Sequence, residues 1–142
     1  MKQHSSRGFT LVEILIVVAI IVVISAIAIP NLISARINAN EASALASLKA
    51  LTSAAEAFRM SQVPVRFPDN LAELNATEPP FIDAVLATGN KSGYAFNWTG
   101  GTNTYSVLAS PQAPNATGVR NFFLDQSGVI RVGNSSSGTP IE

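Results

Sequence analysis

The sequence predicts an α+β protein. A long N-terminal α-helix, with a membrane-spanning half and an amphipathic half kinked at Pro30, packs against a small antiparallel sheet of three to four strands. Three observations predict this. Residues 9–29 are almost wholly apolar. From Ile33 to Phe58 apolar residues return at helical spacing. From Gly93 onward the period drops to two, with turn residues between the runs.

The first element is the apolar run. Its 21 residues, Phe9 to Ile29, include only Thr10, Glu13 and Ser25 as polar side chains. As a helix it is roughly 31 Å long, enough to span the hydrocarbon of a bilayer. Lys2 and Arg7 precede it and place the N-terminus in the cytoplasm by the positive-inside rule. A cleaved secretory signal is the plainer reading, since Ala26–Ala28 reads as a small-residue cleavage site. Two features oppose it. The run exceeds the usual apolar region of about 7–15 residues. It also contains Glu13, and an acidic residue at a membrane centre costs about 2.5–3.5 kcal/mol, less near an end. A disposable signal gains nothing from that cost, whereas an anchor with a partner for the carboxylate does. Cleavage after Gly8 would create such a partner, because the new Phe9 amine would lie about 6 Å from Glu13 along a straight helix axis. The amine of a neighbouring subunit would serve equally, and only that pairing carries an instruction for assembly.

Pro30 removes one helical hydrogen bond and crowds the carbonyl four residues earlier, so the helix bends or loosens there. It then resumes. Ile33, Ile37, Leu45, Leu48, Leu51, Ala55 and Phe58 form an apolar face to about Met60, with one gap at Asn40 and Glu41. Pro64 and Pro68 stop the helix. Asp69 is positioned to cap a short helical turn through Leu74. The Glu78–Phe81 stretch is an extended loop, and a second short turn falls around 82–87. Tyr94, Phe96 and Trp98 then share one strand face, and Tyr105, Val107 and Ala109 another. Residues 121–125 and 128–132 form a hairpin in which Gly128 supplies a positive φ. Residues 133–142 read as a flexible tail.

The chain carries equal numbers of basic and acidic residues, nine of each. There is no basic excess to hold nucleic acid. The absence of Cys removes disulfides, thiolate metal sites and cysteine nucleophiles. His4 is the only histidine, which excludes a His-based triad. With no Gly-rich phosphate loop or paired acid/base residues either, no catalytic, cofactor or metal residue is assigned and the protein is read as a non-enzyme.

Other features read as structural. The Tyr94/Phe96/Trp98 stripe has the composition of a carbohydrate or nucleic-acid platform, but such stripes are more often the buried face of a sheet. Asp69, Glu73, Glu78 and Asp83 share a loop-rich segment without the spacing of a calcium loop. Asn75, Asn97, Asn115 and Asn134 each begin an N-x-S/T pattern and mark exposed loops. Lys91 and Arg120 are ordinary surface charges.

The stretch from Arg7 to Ala42, with Gly8, Phe9, Thr10, Leu11, Glu13, the unbroken apolar span and Pro30, resembles the N-terminus of type IV pilins and of the pseudopilins of type II secretion. The resemblance covers about the first 60 residues. It implies cleavage between Gly8 and Phe9 by a prepilin peptidase, N-methylation of Phe9, and assembly roles for Glu13 and Pro30. The organisation it implies is a leader over 1–8, a transmembrane or filament-core helix over 9–30, an amphipathic half over 31–60 and a globular head over 61–142. The implied partners are the peptidase, an inner-membrane assembly platform, membrane lipid and copies of the same chain, with no specific nucleic acid and no cofactor. The implied location is the inner membrane, head in the periplasm, and then the cell surface. A minor pilin or pseudopilin, a filament-tip adhesion or DNA-capture module, and a secreted soluble protein are the alternatives. The head lacks the cysteine-closed loop of many pilins, which leaves the subtype open.

Overall fold

The computed structural model describes residues 8–141. Two compact units divide the chain, the first ending at Ala35 and the second beginning at Arg36. One helix, α1 (Leu11–Ser61), supplies residues to both.

In the first unit every large apolar side chain of the run is exposed, from Phe9 through Leu32 and Ile33. An α-helix that is apolar on all sides has no stable place in water. Among the described residues, α1 is the one helix long and apolar enough to cross a membrane. The helix is unbroken through Pro30. Four residues further on, Ser34 donates its hydroxyl to the Pro30 carbonyl at 3.1 Å, in the turn that follows the proline.

In the second unit α1 is one-sided. Ala44, Leu48, Leu51, Ala54, Ala55 and Phe58 are buried, at the i, i+3, i+4 and i+7 positions of one face. Two short helices follow, α2 (Leu71–Asn75) and α3 (Ala84–Ala87). The cap of α2 is Asn70, whose side chain accepts from the Glu73 N–H at 3.0 Å. Asp69, the expected cap, instead donates its backbone N–H to Glu73 at 2.8 Å. Either residue type caps well, and the chain's exit from Pro68 puts the second one in register. Asp83 caps α3 by accepting from the Leu86 N–H at 2.7 Å.

The sheet is a six-stranded antiparallel meander, β1 (Asn90–Lys91), β2 (Tyr94–Gly100), β3 (Tyr105–Pro111), β4 (Phe122–Asp125), β5 (Ile130–Val132) and β6 (Thr139–Pro140), in that spatial order. The four strands read from the period-two pattern are β2 to β5. The two additional edge strands are two residues each, too short to carry a period. β6 overturns the reading of 133–142 as a flexible tail. Val132 pairs with Thr139, and Ile141 donates its N–H to the Ile130 carbonyl at 2.9 Å. At the β4–β5 hairpin Gly128 has φ 73° and donates to the Asp125 carbonyl at 2.9 Å, the positive φ its position requires.

The core lies between one sheet face and α1. Tyr94, Phe96, Tyr105, Val107, Ala109, Phe122, Leu124 and Ile130 meet Leu48, Leu51, Ala55 and Phe58, with Phe67, Leu71, Leu74 and Leu86 closing the rim. Trp98 is half-buried. It stacks on Tyr105 at 4.7 Å and 4°, and donates its indole N–H to the Pro68 carbonyl at 2.9 Å. The aromatic stripe is therefore the core face of the sheet, as its alternation suggested.

Candidate functional site

The site implied by the sequence lies at the start of α1. Gly8 and Phe9 precede the helix and are exposed, and Phe9 is 86% accessible. Among the described residues, a side chain at Gly8 would meet nothing within 4 Å. Residues 1–7, with Lys2, His4 and Arg7, lie outside the described residues.

Thr10 and Glu13 form a reciprocal cap. The Thr10 backbone N–H and hydroxyl each lie 2.8 Å from Glu13 Oε2, and the Glu13 N–H donates to Thr10 Oγ1 at 3.2 Å. This is a capping box, T-x-x-E, which satisfies amides that the first helical turn leaves without partners. A carboxylate there also suits the positive end of the helix dipole. The signature is legible in the sequence, but attention to the charge alone passes over it. The two carboxylate oxygens are used unequally. Oε2 takes both bonds from Thr10, and Oε1 takes none among the described residues. Pro30 lies seventeen residues on from Glu13, about 25 Å along the helix, so these two are not brought together.

The second unit holds a polar centre that sequence reading missed. Glu41 is only 4% exposed. Its Oε1 accepts from the Val119 and Arg120 backbone N–H groups at 3.0 and 3.1 Å. Its Oε2 accepts from Arg120 Nε at 2.7 Å and lies 2.6 Å from the other guanidinium nitrogen. Burial pushes the Glu41 carboxyl up, but the Val119 and Arg120 hydrogen bonds and the guanidinium charge outweigh it and hold the group below the usual carboxylate range. The only signal in the sequence was the gap in the apolar pattern at Asn40 and Glu41.

Both cations read as free surface charges are engaged within the second unit. Arg120 holds Glu41, and Lys91 meets Asp83 at 2.6 Å. The hydrogen bond from Lys91 and that from the Leu86 N–H lower the Asp83 pKa. Glu73 is paired with Arg66, and among the described residues no three metal-binding side chains converge. Of the N-x-S/T asparagines named above, Asn75 is tied down, donating to the Ile82 carbonyl at 2.9 Å. Asn97, Asn115 and Asn134 are exposed.

The comparisons with known proteins agree with the N-terminal site. A family model described as the prokaryotic N-terminal methylation motif matches residues 3–29. The type IV major pilin protein PilA of Myxococcus xanthus is 49% identical over 53 residues, 37% of this chain and 24% of that one. The type IV wide pilus major component PilA4 of Thermus thermophilus is 51% identical over 39 residues, 28% of this chain and 30% of that one. The type II secretion system core protein G of Escherichia coli is 32% identical over 89 residues, 62% of this chain and 60% of that one. The chain thus spans less than two thirds of each of these relatives. No solved structure matches it. In its N-terminal segment the chain is similar to the family of type IV pilins and type II secretion pseudopilins. Members of that family are structural proteins, not enzymes.

Proposed function

We propose that the chain is the structural subunit of an extracellular type IV pilus. In this reading a prepilin peptidase removes residues 1–8 between Gly8 and Phe9, and the new Phe9 amine is methylated. Before assembly the protein is a single-pass inner-membrane protein whose head, residues 61–142, lies in the periplasm. An assembly platform then transfers residues 9–30 from lipid into the core of a homo-oligomeric filament at the cell surface, where Pro30 loosens the packed helix.

Transfer from lipid to a helix bundle brings little hydrophobic gain, because lipid tails are already apolar. A polar pairing is what selects one register. The observation that carries the reading is the state of Glu13, a carboxylate at the start of an apolar helix with one oxygen held by Thr10 and the other without a partner among the described residues. A neighbouring subunit's Phe9 amine, offset along the bundle, is a fitting partner for that second oxygen.

A second reading, a pseudopilin of type II secretion, is favoured by one observation. The match to protein G extends over 89 residues and so beyond the N-terminal helix, whereas the match to PilA4 covers 39. Electron microscopy of sheared surface material, probed for this chain, separates the two. A pilus subunit is abundant in long fibres. A pseudopilin is absent from them, and its deletion leaves secreted enzymes inside the cell. Absence from fibres with normal secretion would reject both readings.

A further inference from the structure

The segment between β3 and β4, residues 112–121, is anchored differently from the rest of the head. Residues 112–116, 119 and 120 are exposed, and Val119 is 61% accessible. The one buried residue is Gly118, which has no side chain. It lies against the Tyr94 ring so closely that a Cβ would fall 2.2 Å from the phenol oxygen. The segment therefore crosses the buried Tyr94 without burying an apolar side chain of its own.

Polar contacts hold it instead. Asn40 donates its amide to the Thr117 carbonyl at 2.9 Å. Tyr94 donates its hydroxyl to the Arg120 carbonyl at 2.8 Å. Four of the remaining contacts end on the single carboxylate of Glu41. Hydrogen bonds to a charged group each contribute about 1.5–3 kcal/mol, more than neutral ones.

We propose that residues 112–121 form a strap over the Tyr94 end of the core, latched by the negative charge of Glu41 and released as a unit when that charge is lost. The strap opens while the sheet stays folded, because the strands beneath it are held by their own ladder and by apolar burial. Opening uncovers Tyr94 and frees Arg120 and Val119 together. The charged and titratable groups facing Glu41 are Arg120 and Tyr94. Burial first, with the Glu41 charge second, pushes the Tyr94 phenol up to about 12, and arginine stays cationic throughout. Glu41 is thus the group of this centre that titrates in acid. The latch is shut at neutral and mildly acidic pH and opens only below the ordinary carboxylate range.

Hydrogen–deuterium exchange of the detergent-solubilised full chain tests this. In Glu41→Gln at neutral pH, amide exchange over 112–121 is expected to rise by at least about tenfold, with β2–β4 unchanged. In Arg120→Ala the rise is smaller, since the two backbone donors still reach the carboxylate. Unchanged strap exchange in Glu41→Gln overturns the proposal, as does an equal rise in strap and strands, which would make Glu41 a pillar of the whole head. Should Glu41→Gln not fold, exchange of the unmodified chain is followed as pH falls, corrected for intrinsic rates. Loosening of the strap before the strands upholds the latch, and simultaneous loosening refutes it.

Discussion

The two halves of α1 have similar backbones and opposite surroundings. From Leu11 to Ile33 the large apolar side chains are exposed on every side of the helix. From Glu41 to Phe58 one face is buried and the other carries Lys49, Ser53 and Glu56. The first pattern suits a solvent of lipid or packed helices, and the second suits a head that makes its own core in water. Each half also carries an acid held by hydrogen bonds. Glu41 finds its donors within the same head, on Val119 and Arg120. Glu13 finds only half of its complement in the described chain. An acid with its partners inside the fold serves stability, whereas an acid left with an open oxygen is suited to association.

The sharpest way to break this comparison is at Glu13. Removing one partner of a buried ion pair costs about 3–5 kcal/mol, a loss of roughly a hundredfold or more in an equilibrium. Glu13→Ala is accordingly expected to insert in the membrane and leave head stability unaltered, while fibre yield falls below detection. Normal fibres from that variant would remove the proposed pairing. Gly8→Val tests the preceding step. A side chain there meets nothing within 4 Å among the described residues, so the effect is expected on the peptidase step. The expected product is a precursor-size band in the membrane, and a mature-size band would contradict the reading.

The next contrast is in the core. Leu48 is fully buried and Leu15 is 63% exposed. Leu48→Ala should lower the unfolding free energy of the head by about 2–5 kcal/mol, and Leu15→Ala should change it by less than about 0.5 kcal/mol. Denaturant midpoints of the solubilised chain read both, and equal effects would mean the two halves do not differ as described. Acid provides a further comparison. The pKa values of Glu41 and Asp83 are lowered in the fold. Their stabilisation is therefore full above the unfolded carboxylate pKa and is lost as pH falls through the folded one. Thermal midpoints should be level near neutrality and decline in acid. A small effect is expected at Asp83→Asn. It retains the α3 cap but loses the half-exposed Lys91 pair, a change of at most about 1 kcal/mol.

Legibility in the sequence followed period and length. The long helix, the Tyr94–Trp98 stripe and the Gly128 hairpin were readable because each repeats a spacing or requires a particular residue. β1 and β6 were not, because two residues have no period and join the sheet only through a neighbour's open edge. The α2 cap fell one residue from where it was expected, since adjacent Asp69 and Asn70 are equally suited. Glu41 appeared only as a gap in an apolar face. Its donors are 78 and 79 residues away, and no local pattern reports a contact at that separation. Thr10–Glu13 was the reverse case, a local signature overshadowed by the more conspicuous charge.

The central claim is that the apolar segment is kept and that its acid awaits an amine made by cleavage. Intact mass and N-terminal sequencing of the natural product, taken from membrane and surface fractions, tests it most directly. The account predicts a chain beginning at Phe9, heavier by one methyl group, with the whole of α1 retained. A chain beginning near Ile29, with the apolar segment gone, would contradict it.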